Sequence, residues 1–217
     1  LGTTGADSIS ALQGDDYING LGGADLLFGG QGNDTLLEAT TANSAVLKGD
    51  YGNDQLTLST TNTGTTVYGG QGNDTLTVAA LTNGFVSGDL GNDTLDISSI
   101  SGGSISGGGA NGSSDGADSI SVGSFTSAFL DGSAGNDTVN VTAQGAGTVR
   151  GGQDNDILNV TAANALTGSQ VWGDLGQDTI NVSASAAAAF IQGAAIYGDN
   201  TSTSGGNDSI VITNSFN

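Results

Sequence analysis

Asp7, Asp16, Asp25 and Asp34 stand nine residues apart, and the series continues at Asp54, Asp74, Asp93, Asp118, Asp137, Asp156, Asp178 and Asp208. Carboxylates repeated at an interval could do two kinds of chemistry. As close pairs they could serve as acid and base in glycoside hydrolysis. As a stack, together with turn carbonyls, they would offer the hard oxygen ligands that calcium prefers. The repeat itself accounts for every pair in this chain, so the pairing carries no catalytic signal. The absence of His and Cys from all 217 residues excludes a Ser–His–Asp or Cys–His nucleophile. The chain is therefore expected not to be an enzyme.

The aspartates sit in restated turns. GGQGNDTL occupies 29–36 and 69–76, KGDYGNDQL occupies 48–56, and GDLGNDTL occupies 88–95. With the Asp taken as position six, Gly falls at position one or four in nearly every unit. Asn is frequent at position five, as Asn33, Asn53, Asn73, Asn92, Asn136, Asn155 and Asn207. Gly and Asn there are expected to supply the positive φ of a tight turn. After the Asp comes an alternating run, such as TLTV from Thr75, TLDI from Thr94, TVNV from Thr138 and TINV from Thr179. Such alternation reads as a half-buried strand, with Leu76 and Val78 inward and Thr77 outward. A second strand precedes each turn and gives an inward column of Leu27, Leu47, Val67, Val86, Ile105, Leu130, Val149, Val171 and Ile196.

Each coil of roughly 19 residues is thus strand, turn, strand, turn. One coil cannot bury its own apolar face, but stacked coils can, hydrogen-bonded as parallel strands about 4.8 Å apart. The expected fold is all-β: two parallel sheets facing each other across a thin Leu/Ile/Val core. A single domain spans 1–217, with strict nonapeptide coils over 1–37 and longer coils over 38–217.

Charge sharpens the reading. Lys48 and Arg150 oppose 22 acids, for a formal charge of −20, so duplex nucleic acid is excluded as a partner and anionic membranes are disfavoured. No apolar run of eighteen residues is present, so membrane insertion is not expected. The 39 Gly occur without Pro and without a G-X-Y period, which excludes collagen. A chain that opens on Leu1 without a signal peptide is expected to be a fragment or a processed product. Stacking would line up the ten aspartates from Asp16 to Asp208 on one edge. Two unit charges about 4.8 Å apart repel by roughly 3 to 4 kcal/mol at an effective dielectric of about 20. Domain stability of about 5–15 kcal/mol cannot absorb the sum. Hard divalent cations in the nine gaps between those turns would bring roughly +18.

The segment GGQGNDTLT resembles the nonapeptide G-G-x-G-x-D-x-U-x of the secreted bacterial calcium-binding RTX, or haemolysin-type, repeat family, and the resemblance extends over essentially the whole chain. It implies a parallel β-roll (β-solenoid) in which Asp carboxylates and turn carbonyls of adjacent coils hold Ca2+. Carried over residue by residue, the ligands are Asp7, Asp16, Asp25, Asp34, Asp54, Asp74, Asp93, Asp118, Asp137, Asp156, Asp178 and Asp208. Carbonyls of Gly30, Gly32, Gly52, Gly70, Gly72 and Gly91 join them. Beyond residue 37 the second turn of each coil, as in TTNTGTT or LTNG, lacks Asp. Calcium is therefore expected mainly on one edge, with Asp7 and Asp25 as a lone pair opposite. Asp154 at position four and Gln177 at position five mark weaker sites, and wider spacings place loops near 102–114 and 200–204.

The resemblance implies that enzymes of the family carry catalysis in a separate domain, and none is expected within these 217 residues. The expected function is a calcium-dependent extracellular structural protein of the bacterial cell surface, such as an S-layer, fibre or adhesin stalk. Its partners would be calcium and either further copies of itself or other cell-surface components. Two alternatives are an ice- or glycan-binding adhesin region and the C-terminal secretion and folding module of an exoenzyme. The Thr rank expected of an ice-binding edge is missing at position three, which reads Gln31, Tyr51, Gln71, Leu90, Ala134, Gln153 and Leu175. An outward column of Phe28, Tyr68, Trp172 and Tyr197, interrupted by Lys48, Ser87 and Arg150, is a candidate contact strip.

Overall fold

Alternating apolar and polar residues between glycine turns leave the backbone one economical solution, which is to pair each short strand with its counterpart a coil away. A computed structural model describes residues 1–109, 115–142, 145–162, 168–184, 194–199 and 206–214. All of its regular structure among those residues is strand, in two ten-stranded sheets. Every pairing is parallel and joins a strand to the next strand but one. The first sheet runs from Ser8–Gln13 to Ala195–Tyr197, and the second from Tyr17–Asn19 to Ser209–Asn214. The chain is a β-solenoid, with the two sheets back to back.

Register aligns like with like. In the first sheet Leu27, Leu47, Val67 and Val86 are directly paired in series, and the column continues through Ile105, Leu130, Val149, Val171 and Ile196. All but Ile196 are buried, and Ile196 packs on the core from the end coil. In the second sheet Leu36, Leu56, Leu76, Leu95, Ile120, Val139, Leu158 and Ile180 form the facing column. Val78 is buried beside Leu76 while Thr77 is exposed, as the alternation requires.

The turns depart from expectation in one respect. Positive φ falls at positions two and four: +107° at Gly30 and +125° at Gly32, +72° at Asp50 and +129° at Gly52, +120° at Gly70 and +127° at Gly72. Asp154, at position four without a glycine, holds +76°. None of Asn33, Asn53, Asn73, Asn92, Asn136 and Asn155 has positive φ. Asn at position five is selected for another reason. Its Oδ1 accepts the backbone N–H of position five in the following coil, Asn33 from Asn53, Asn53 from Asn73 and Asn73 from Asn92, at 2.7–2.9 Å. Gln177 still donates its N–H to Asn155, so the ladder survives that replacement.

The opposite edge changes character along the stack. After Asp7 and Asp25, the position just before the strand is taken by Ala45 and then Thr65. Farther on, Leu81, Ile100 and Phe125, paired in series, are buried and plug the edge with hydrocarbon. Tight turns with a left-handed residue, Gly64, Asn83, Gly102 and Ser127, close these coils. Of the stretch 102–114 expected as loop, Gly102 and Gly103 belong to such a turn and Ser104–Gly108 is a strand. Residues 110–114 and 200–204 lie outside the described residues.

Candidate metal centre

The carboxylates of position six turn inward because position one makes room for them. A methyl carbon on Gly69 would stand 2.4 Å from Asp74 Oδ2 and 2.5 Å from the carbonyl oxygen of Gly88 in the next coil. The same two oxygens, one carboxylate and one carbonyl, crowd Gly29, Gly49, Gly88, Gly107, Gly132, Gly151 and Gly173. Only glycine fits, and its missing side chain leaves a polar hollow at the edge of the core. These position-one glycines were not among the expected site residues. Their signal was in the sequence for most turns, since Gly29, Gly49, Gly69, Gly88, Gly132, Gly151 and Gly173 each lie five residues before the Asp, whereas Gly107 meets Asp118 only across a longer insertion.

Each aspartate is locked by its neighbour. Oδ1 accepts the backbone N–H of the Asp one coil earlier at 2.7–3.0 Å, through every step from Asp16, Asp34, Asp54, Asp74 and Asp93 to Asp118, Asp137, Asp156, Asp178 and Asp208. That bond fixes the rotamer and aims the other oxygen inward. Oδ2 of Asp16, Asp34, Asp54, Asp74, Asp93, Asp118, Asp137, Asp156 and Asp178 is buried without a hydrogen-bond partner. A buried, ionised and unpartnered oxygen costs several kcal/mol on the order of what a domain can spare. The expected carbonyls lie in the same turns as these carboxylates. Those of Gly32, Gly52 and Gly72 point along the stack, where a methyl on the position-four glycine above would stand 1.8–2.0 Å away. Gly30, Gly70 and Gly91 hold the left-handed corners of their turns.

Burial drives the proton affinities. It pushes Asp74, Asp93 and Asp137 up to about 7 and Asp118 and Asp156 up to about 8, against the opposing pull of the backbone N–H on each. Neighbouring acids add to the rise. Asp54 and Asp178 reach about 6 for the same first cause, and Asp34 is raised as well. Such a column needs positive charge, supplied either by protons or by a cation. Among the described residues no three acidic side chains converge on one point. A cation would therefore draw on carboxylates of successive turns together with backbone carbonyls, which is a donor set of hard oxygens suited to calcium.

The RTX calcium-binding nonapeptide repeat, in four copies, matches residues 1–36, 59–78 and 129–144. The chain carries RTX calcium-binding repeats. No curated protein and no solved structure matches it. The structure extends the repeat beyond the matched residues, because Asp93, Asp156 and Asp178 repeat the carboxylate geometry of Asp34 and Asp74.

Among the described residues the opposite edge holds one comparable step between aspartates. Asp7 donates its N–H to Asp25 Oδ1 at 2.8 Å, so the expected pair is brought together. Asp7 Oδ2 accepts from Thr3, at 2.6 Å from the backbone N–H and 2.9 Å from the hydroxyl. Asp25 is fully buried and its Oδ2 has no partner. The outward strip on the first sheet is a true column, with Phe28, Lys48, Tyr68 and Ser87 paired in series and Arg150, Trp172 and Tyr197 farther on. Its basic residues do not interrupt it. Lys48 Nζ lies 4.9 Å from the Tyr68 ring centroid, Trp172 stacks on Tyr197 at 4.0 Å, and Arg150 forks onto Asp174 at 2.6 and 2.7 Å.

Proposed function

We propose that this RTX chain is a calcium-folded, extracellular structural module of a bacterial cell surface, serving as an S-layer, fibre or stalk element and not as an enzyme. The observation that supports it is the uninterrupted first-edge column of buried carboxylates with unpartnered Oδ2 oxygens. Ionised, the column opposes folding; loaded with divalent cations, it fastens coil to coil. Coupling of metal binding to folding then makes the extracellular calcium level, on the order of 10⁻³ M, the switch for a chain that crosses the cell unfolded. The roles of the residues follow. Oδ1 and the N–H of successive aspartates set the carboxylate's orientation, position-one glycines keep the hollow open, and the Asn ladder holds the outside of the turn.

Circular dichroism with and without chelator tests this directly. The β spectrum should appear at millimolar calcium and disappear in excess chelator at neutral pH; a β spectrum unchanged by chelator would refute it. Light scattering and electron microscopy across the same titration test assembly, with ordered, reversible fibres or sheets as the expected result. A folded chain that stays monomeric at high concentration would reduce the role to a spacer.

A second reading, a glycan-binding surface region, has one observation in its favour. A shallow hollow of about 310 Å³ on the outer strip is lined by Phe129, Thr148, Arg150, Gln170 and Trp172, which combine aromatic faces with hydrogen-bonding groups. A glycan array on the calcium-loaded chain separates the two readings.

A further inference from the structure

Glu38 breaks the pattern of the core. It lies in register with Leu58, on an inward column that continues through Val78, Ile97, Val122, Val141, Val160 and Val182. All of those partners are buried aliphatics, and Glu38 is as buried as they are, at 0% exposed. Neither of its carboxylate oxygens has a hydrogen-bond partner. In the preceding coil the corresponding residue is Gly20, whose missing side chain receives the carboxylate. A methyl carbon on Gly20 would stand 1.7 Å from Glu38 Oε1 and 2.5 Å from Asp25 Oδ2. Two fully buried carboxylates thus aim unpartnered oxygens at one place, on the edge opposite the main aspartate column.

The local sequence explains why Glu is needed there. Asp7 and Asp25 begin a carboxylate column on this edge, but the next coil offers Ala45 where the third acid would stand. Glu38 comes from the strand before that turn and occupies the slot that position-one glycine holds elsewhere. We propose that Asp25 and Glu38 form a separate divalent-cation site on the second edge, with calcium as its occupant, in which Glu38 replaces the missing aspartate and terminates the column. Hard anionic oxygens select a hard cation, and two adjacent buried anions are tolerated only against a charge of two or more. Beyond this site the edge is closed by Asn62 and then by Leu81, Ile100 and Phe125, so cation fastening gives way to apolar packing within three coils.

The inference rests on calcium binding by the chain, and the test separates the two. Calcium bound per chain is counted by equilibrium dialysis and native mass spectrometry, on the wild type and on Glu38→Gln. The amide keeps the volume of Glu38 and the hydrogen bond that a protonated carboxyl would give Asp25, but removes the anionic ligand. The expected result is a loss of one calcium per chain in Glu38→Gln, with the first-edge sites still filled. Asp25→Asn should lose the second-edge calcium as well. A Glu38→Gln chain that fails to fold at any calcium concentration would also support the site, because a shared proton would have been reproduced by the amide. Equal stoichiometry in wild type and Glu38→Gln would overturn it and leave a proton shared by the pair. No calcium bound by the wild type would instead sink the proposed function.

Discussion

An aspartate of the first-edge column makes two opposed demands on its surroundings. Its Oδ1 is satisfied by a backbone N–H, while its buried Oδ2 is left for a cation; Asp74 thus takes the Asp54 N–H on its Oδ1 and gives its own N–H to Asp93 Oδ1. Asp74→Asn keeps the Oδ1 acceptor and loses the charge. The calcium concentration at half-folding should rise by about tenfold or more, judged from what weaker perturbations of metal sites do. Asp96, exposed on the outer face of the second sheet, is the control: Asp96→Asn should shift stability by no more than about 0.5 kcal/mol and leave the calcium midpoint in place. Equal midpoints for the two variants would show that the acids act as diffuse charge. Gly69→Ala should mimic Asp74→Asn without altering any charge, since its methyl would meet Asp74 Oδ2 at 2.4 Å and Gly88 O at 2.5 Å.

The two edges of the stack come to be fastened by different physics along its length. On the first edge the fastening is electrostatic and repeats in every described coil. On the second it becomes hydrophobic, through Leu81, Ile100 and Phe125, all buried. Phe125 is the largest of these, and a methyl on Gly147 in the next coil would approach its Cε1 to 2.5 Å, so the ring fills the available space. Phe125→Ala should therefore cost about 3–5 kcal/mol in urea unfolding at saturating calcium. Its calcium stoichiometry should be unchanged, because no carboxylate is involved. A loss of bound calcium in that variant would mean that the two edges do not fasten independently.

The whole molecule stores its charge in a form that protons can also neutralise. Folding raises the pKa of Asp74, Asp93 and Asp137 to about 7, and of Asp118 and Asp156 to about 8, from an unfolded value near 3.8. A raised pKa means the folded chain binds more protons than the unfolded chain between those values. The contribution to stability is full below about 4 and is lost as pH rises through 6 to 8. In excess chelator, therefore, acidification from pH 8 to pH 5 should increase the β signal, whereas alkaline solution should abolish it. With calcium present the same protons compete with the metal, so the calcium midpoint should rise as pH falls. A chelated chain whose circular dichroism is flat across that range would contradict the burial of the column.

The sequence alone determined the periodic part of this protein. Alternation of Leu76, Thr77 and Val78, the spacing of Asp34, Asp54, Asp74 and Asp93, and the glycines before them specify strands, turns and a stacked order, because each is a local pattern that every coil repeats. The tertiary structure decided what depends on the neighbour above or below. Asn33 and Asn53 prove to be hydrogen-bond rungs and not carriers of positive φ, which no single coil could reveal. Lys48 and Arg150 join the outer strip through contacts with Tyr68 and Asp174 that cross coils. Glu38, one acid among many in the sequence, becomes exceptional only when register sets it beside Leu58 and over Gly20, facing Asp25. Spacing along a chain records which residues recur; which oxygens meet is fixed by the pairing of coils, and pairing is a property of the stack.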